Sequence, residues 1–326
     1  MIQINKKILS CTLILILLIG AFTGCAMGGD KSKVDENVVA KVNDKEIDHE
    51  TFKKNFSIVE KRYTELYTEN IWSQEIEGKT VLEIVRDQVL EKLIIEELIK
   101  EEIAKKEIAI EDTEIEETYN SFKERLEEDE ELKKFYEENN LDEKFVKEQI
   151  RMDALVDEYE KSLYEELGLN DQEKLDELTK NYVVQVSAKH ILVENEESAK
   201  ELITKIKAGE DFTELAKENS KDPSVKENNG DLGYFSRGMM VPQFEQAAFS
   251  MEVGDISEPV KTNYGYHIIK LEAKKTLEDL KEEISEEELA VEKQNIEPIV
   301  KKEKLLEKIE ELKGKAKIEK FEENLK

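Results

Sequence analysis

From Leu82 onward, apolar residues recur three and four positions apart: Leu82, Val85, Val89, Leu93, then Leu98, Ile99 and Ile103. That period places them on one face of a helix. Thr80-x-x-Glu83 stands ahead of the run with the spacing of a capping box, and Thr113-x-x-Glu116 repeats it. The second box predicts another helix start. Phe145, Ile150, Leu155 and Val156 continue the helical spacing, and Gly168 is suited to end that helix. Further upstream, Val38–Val42 is a short β-prone run. Asn43-Asp44 makes a turn before Ile47, and Asp48 can cap a helix beginning near Thr51.

The pattern changes near residue 181. Three of the four prolines, six of the thirteen glycines and two of the three histidines fall between 181 and 274, which marks a turn-rich domain between helical segments. Tyr182–Val193 reads as a strand. Asn195 caps a helix through Ala199, Leu202 and Ile206 that stops at Gly209. Asp211 caps a shorter helix with Phe212, Leu215 and Ala216. A loop spans Ser220 to Asn229, and Leu232–Phe235 is a short strand. Pro242 opens a helix carrying Phe244, Ala247, Ala248 and Phe249. Ile256–Val260 and Tyr266–Leu271 read as the last strands. After Thr276, a capping residue, Leu277, Leu280 and Ile284 and later Leu305, Leu306, Ile309 and Leu312 again keep one face apolar. Such stripes need a partner. The tail is expected to pack on the N-terminal helices; a coiled-coil stalk is disfavoured because no strict heptad is sustained.

Composition adds limits. Charged residues make up 39% of the chain and aromatics 7%, which suits a helix-rich, well-solvated protein. The net charge is −29, and −31 without the first 24 residues, whose only charges are Lys6 and Lys7. That surface repels phosphate backbones and anionic lipid heads, so nucleic acid is excluded as a partner and membrane attachment needs another device.

The N-terminus supplies one. Lys6 and Lys7 precede an apolar stretch, Ile8–Ile19, shaped like a secretory signal and short for a membrane span, although an uncleaved anchor is the alternative. Phe22-Thr23-Gly24-Cys25 resembles the bacterial lipobox, which implies cleavage before Cys25 and its lipidation. Cys11, the other cysteine, would be discarded with the signal, leaving no thiol for a disulfide. The reading is therefore a signal over 1–24, a tether over 25–37, a helical part over 38–180, the turn-rich domain over 181–274 and C-terminal helices over 275–326.

Five blocks in the turn-rich domain carry a resemblance. They are Ser187-Ala188-Lys189-His190-Ile191-Leu192-Val193, Gly209-Glu210-Asp211-Phe212-x-x-Leu215-Ala216, Ser220-Lys221-Asp222 with Gly230-Asp231-Leu232-Gly233-Tyr234-Phe235, Met240-Val241-Pro242-x-Phe244, and Gly265-Tyr266-His267-Ile268-Ile269. In this order they resemble the parvulin peptidyl-prolyl isomerases. The flanking helices, the 38–47 hairpin and the lipobox resemble the PrsA foldases and related SurA chaperones. The resemblance implies an α+β multidomain protein. Its parvulin-type α+β domain, a four-stranded antiparallel sheet with helices, would be inserted in a discontinuous all-α chaperone domain.

The same resemblance implies a site. Leu232, Met240 and Phe244 would form an apolar shelf for the proline ring, with His190 and His267 side by side on central strands. Asp222 would join them as a catalytic residue, and Thr262 would set a hydroxyl beside them; Tyr264 falls where some relatives carry Ser. No cofactor and no metal are implied. The partners would be unfolded secreted proteins with Xaa-Pro bonds, the membrane through the lipid on Cys25, and, as an open option, a second copy of the chain. The location would be extracytoplasmic, at the cell membrane.

Plainer readings stand beside these. The two histidines also read as core residues satisfying each other's ring nitrogens. With Asp222 they have the residue types of a metal site. Met240 and Phe244 have the spacing of ordinary packing. His49 reads as a first-turn surface residue and Trp72 as core or groove lining. A chaperone with little isomerase activity, or a structural surface lipoprotein, are the rival functions. The chain has no glycine-rich phosphate loop, no GxSxG and no HExxH.

Overall fold

The structure, a computed structural model, describes residues 35–67, 69–76 and 78–325. The signal at 1–24, Cys25 and the first part of the tether lie outside the described residues. Among the described residues no helix is long and apolar enough to cross a membrane. The chain divides into two units. One takes in the residues up to Leu167 together with those from Lys304 onward; the other is Gly168–Glu303.

In the first unit, β1 (Val38–Val42) and β2 (Lys45–Asp48) form the expected hairpin, with Asn43 in the left-handed region at φ 53. The Asp48 carboxylate accepts from Thr51 N–H and starts α1 (His49–Leu66). A two-stranded ribbon, β3 (Glu75–Ile76) and β4 (Lys79–Thr80), leads to α2 (Val81–Lys105), whose Thr80–Glu83 capping box is fully formed. Then come α3 (Asp112–Glu128), α4 (Glu130–Glu138) and α5 (Glu143–Glu166). The second expected capping box does not form. Glu111 precedes the helix without a side-chain cap bond, and Thr113 lies inside the first turn. The acidic Asp112 and Glu114 there suit the positive end of the helix instead.

The apolar face of α2 serves two clusters. Val85, Val89, Leu90, Leu93 and Ile94 pack with Val39, Val42, Ile47 and Phe52, joined by Leu312 and Leu325. Ile95, Ile99 and Ile103 pack with Met152, Tyr159 and Leu163 of α5, joined by Leu305 and Ile309. Burying each such aliphatic side chain contributes about 1.5–3 kcal/mol, which is why these stripes are found against partners.

The second unit opens with α6 (Gln172–Thr179) and β5 (Val183–Val193). It continues with α7 (Glu196–Lys207), α8 (Phe212–Asn219), α9 (Val225–Asn228), β6 (Asp231–Ser236), α10 (Pro242–Ser250), β7 (Val260–Thr262) and β8 (Gly265–Thr276). The four strands make one antiparallel sheet in the order β6-β5-β8-β7. Ile191, Val193 and Ile268 pack with Ala199, Leu202 and Ile203 of α7 and Phe212, Leu215 and Ala216 of α8. Val186, Ala188, Phe235, Ile269 and Leu271 pack with Phe244, Ala248 and Phe249 of α10. The strand expected over Ile256–Val260 starts only at Val260, as β7. Ile256 makes a single bridge to Lys270, and Pro259 has no N–H for a ladder.

The C-terminal segment is shared between the two units. Thr276 forms a capping box with Asp279 and starts α11 (Leu277–Leu280), followed by α12 (Glu286–Lys315). Leu277, Leu280, Ile296 and Val300 pack around Val184 within the second unit. From Lys304 onward the chain belongs to the first unit, where Leu305, Ile309 and Leu312 of α12 join its clusters and β9 (Ile318–Lys320) pairs antiparallel with β1, setting Val42 opposite Ile318. The first unit is thus helical around a small sheet, β2-β1-β9. The second extends on both sides of 181–274, since Lys293 Nζ lies 2.6 Å from Asp176 Oδ2 and ties α12 to α6.

Candidate active site

β5 and β8 are the two central strands, and each contributes one histidine to the α10 side of the sheet. His190 and His267 are 5% and 6% exposed. Their rings stack at 5.4 Å between centres and 19° between planes, with the two Nδ1 atoms 3.2 Å apart. Two glycines let the backbone come this close. Gly230 holds φ +82, and its carbonyl accepts from His190 N–H at 2.8 Å. Gly265 holds φ +132 at the β7–β8 turn. A Cβ would lie 2.8 Å from His190 O at the first and 2.4 Å from Val193 O at the second.

Asp222 lies beside His190, with Oδ2 2.8 Å from Nε2. The oxygen is off the N–H direction, so the two atoms meet in a close polar contact rather than an aligned hydrogen bond, and among the described residues Nε2 has no other partner. Burial acts to raise the Asp222 carboxyl, but the Ser224 N–H at 2.9 Å, the Ser224 side chain and His190 outweigh it and hold it below the usual carboxylate range. Burial lowers the His190 pKa against the opposing pull of Asp222. Burial, with His190 as neighbour, lowers His267 to about 4. Both rings are therefore neutral near pH 7.

Donor and acceptor accounting then orders the whole group. A carboxylate only accepts, so His190 carries its proton on Nε2 and presents a bare Nδ1. His267 must supply the proton between the two Nδ1 atoms. Its Nε2 is then bare and accepts from the Thr262 hydroxyl at 2.9 Å. Thr262 Oγ1 in turn accepts from Tyr264 N–H at 3.1 Å. The donors run in one direction, from Tyr264 N–H to the Nδ1 of His190, whose Nε2–H lies against Asp222.

Phe244 is buried and meets both imidazoles edge-on, at 5.9 Å from His190 and 5.2 Å from His267. Phe235 lies 6.0 Å from Phe244. Leu232 and Met240 are half-buried against the same cluster. Pro242 at the first position of α10 sets the helix start, so Met240 approaches just ahead of it and Phe244 sits in its first turn. His190, His267, Asp222, Thr262, Leu232, Met240 and Phe244 are thus all in one region of the second unit.

Other singled-out residues are elsewhere. Tyr264 is 72% exposed and joins the group only through its backbone N–H. His49 is half-buried at the start of α1, and Trp72 packs against Phe56 and Tyr63 in the first unit. Among the described residues no group of three or more His, Cys, Asp or Glu could hold a metal ion. Sequence reasoning carried Ser220 inside a block without a role and missed Ser224. The Ser220 hydroxyl accepts from Leu192 N–H at 3.1 Å and Asp222 N–H at 3.4 Å, docking the Asp222 loop on β5. The available signal was Asp222-Pro223-Ser224, whose spacing lets an aspartate accept from the N–H two residues on.

Comparison with known proteins gives the family. Residues 173–275 match the PPIC-type PPIase domain, and residues 1–160 match the SurA-like N-terminal domain. A foldase protein PrsA of Caldanaerobacter subterraneus subsp. tengcongensis is 37% identical over 303 residues, covering 91% of each chain. The chain belongs to the PrsA foldase family. A PrsA of Geobacillus sp. strain WCH70 is 42% identical over 180 residues, 54% of this chain and 61% of that one. A crystal structure of PrsA from Bacillus anthracis is 31% identical, covering 68% of this chain and 96% of that one, with a TM-score of 0.33. PrsA membership and the matched isomerase domain make the second unit a parvulin-type domain, with the four-stranded antiparallel sheet described above.

Proposed function

We propose that the chain is an extracytoplasmic foldase whose second unit isomerises Xaa-Pro bonds of unfolded secreted proteins at the pocket around His190 and His267. The observation that carries this reading is the buried, neutral histidine pair edge-on to Phe244, with Leu232 and Met240 beside it. An Xaa-Pro bond turns over a barrier of ~18–20 kcal/mol because twisting removes amide resonance, and no bond need break. The pocket has to favour the twisted amide over the planar one. In the proposed roles, Leu232, Met240 and Phe244 seat the proline ring. The planar amide, with more charge separation, is disfavoured at this apolar surface. His190, His267 and Thr262 keep a fixed, neutral hydrogen-bonded floor under it, with the Asp222 carboxylate set against His190. Lipidation of Cys25 holds the protein at the outer face of the cytoplasmic membrane.

A second reading makes the first unit a holding surface for unfolded chains. Leu66, Tyr67 and Ile76 are exposed apolar residues of that unit, open to contact with an unfolded chain. The test of the leading reading is refolding of a protein whose slow phase is proline-limited. Catalysis predicts that the slow phase speeds up in proportion to the foldase added. A slow phase of unchanged rate, with aggregation suppressed, supports the holding reading instead.

A further inference from the structure

The turn between β6 and α10, residues 237–241, delivers Met240 to the site, yet its own ties are few. Met239 N–H reaches Ser236 O at 3.3 Å, and Ser236 N–H faces the weak acceptor Met239 Sδ at 3.3 Å. Gly238 N–H is bound by the Glu245 carboxylate. Gly238 holds φ +82, and a Cβ there would meet nothing within 4 Å, so packing does not fix the turn at that point. Met239 is 65% exposed.

Met240 and Val241 pack partly on the Phe244 cluster, and ahead of them Arg237 adds a side-chain anchor. Its Cζ lies 4.1 Å from the centre of the Phe249 ring and 5.6 Å from that of Tyr182. A cation over an aromatic face is attracted by the ring quadrupole, and a planar guanidinium can stack on two rings where an ammonium cannot. Tyr182 is itself held. Burial pushes its phenol up to about 12, so it keeps its proton, and its oxygen lies 3.0 Å from Glu303 Oε1. From Phe249 the rings continue inward. Phe235 is 6.1 Å away, and through Phe244 the series ends on the histidines.

We infer that Arg237 is a positioning residue for the proline shelf: clasped by Tyr182 and Phe249, it fixes the 237–241 turn so that Met240 presents its side chain beside Phe244. The inference rests on the reading of this pocket as a prolyl-isomerase site. Arg237 does not touch the substrate. It acts on how much of the time the shelf is in place, so it affects the binding of planar and twisted forms alike.

The test uses the full-length protein with an Xaa-Pro tetrapeptide, comparing wild type with Arg237→Met and Arg237→Lys. The Met240 methyl resonance is followed in each. Loss of the stacking is expected to raise KM roughly three- to tenfold with kcat unchanged. Arg237→Lys should fall between, and the Met240 methyl signal should move in both variants. Should Arg237→Met not fold, Arg237→Lys decides alone: a raised KM at constant kcat supports the inference, and a wild-type KM overturns it. Unchanged KM and an unmoved methyl signal in both variants also overturn it. Absence of activity in the wild type would instead overturn the isomerase reading, and the methyl signal would still decide whether Arg237 orders the turn.

Discussion

His190 Nδ1 and His267 Nδ1 lie 3.2 Å apart inside the second unit, a distance that needs one proton between them. Because Asp222 is a carboxylate, that proton belongs to His267. The arrangement predicts that His190 is the Nε2–H tautomer and His267 the Nδ1–H tautomer at neutral pH. Nitrogen chemical shifts of the two imidazoles check this. Asp222→Asn, whose amide can also donate, should loosen the assignment, whereas the opposite tautomers in the wild type would contradict the donor order.

The same burial sets a pH dependence. His267 titrates near 4 in the folded chain and near 6.5 when free. Between those values the unfolded state binds a proton that the folded state does not. Stability is therefore unaffected above pH 6.5 and falls as pH drops toward 4, by about 3 kcal/mol at the lower end. His190 shifts in the same direction and adds to the loss. Urea unfolding of the second unit at pH 7.5, 5.5 and 4.5 measures it. Replacing His267 with Ala should flatten the slope.

Gly230 and Gly265 are expected to be intolerant of a side chain. Both hold positive φ, and a Cβ at either would press on a backbone oxygen of β5. Gly265→Ala should cost about 2–4 kcal/mol, with Gly230→Ala somewhat less. Thermal unfolding of each variant tests this, with Gly209→Ala as a comparison whose Cβ would meet no neighbour.

Thr80→Ala removes the side-chain half of a formed capping box and should cost about 1 kcal/mol in the first unit. Thr113→Ala, lacking any cap role, should cost clearly less. Denaturant midpoints of the two variants give the comparison.

Much of this was legible in the sequence because the informative signals are local. Asp48, Thr80, Asn195, Asp211 and Thr276 each cap the helix they precede, and each can be read from a few neighbouring residues. The site was legible as blocks, since His190, Leu232, Phe244 and His267 stand inside recognisable stretches. What was hidden depends on contacts distant in sequence. Ser257 takes the place of a regular strand, its N–H bonding Ile269 O and its hydroxyl accepting from Ile269 N–H, and no β-propensity could show that. The division of the C-terminal segment was hidden for a related reason. The apolar positions of α12 up to Glu303 pack around Val184 within the second unit, and those from Lys304 pack with α2 and α5 within the first. A helical period shows that a stripe is buried but not which partner buries it.

The most direct test of the account is the rate of Xaa-Pro isomerisation in a short peptide, measured with wild type, Phe244→Ala, Met240→Ala and His267→Ala. Acceleration by the wild type is predicted, with kcat/KM reduced tenfold or more by Phe244→Ala and His267→Ala and less by Met240→Ala, about what loss of a well-packed binding surface costs. A wild-type rate no faster than the uncatalysed reaction, or full activity in Phe244→Ala, would contradict it.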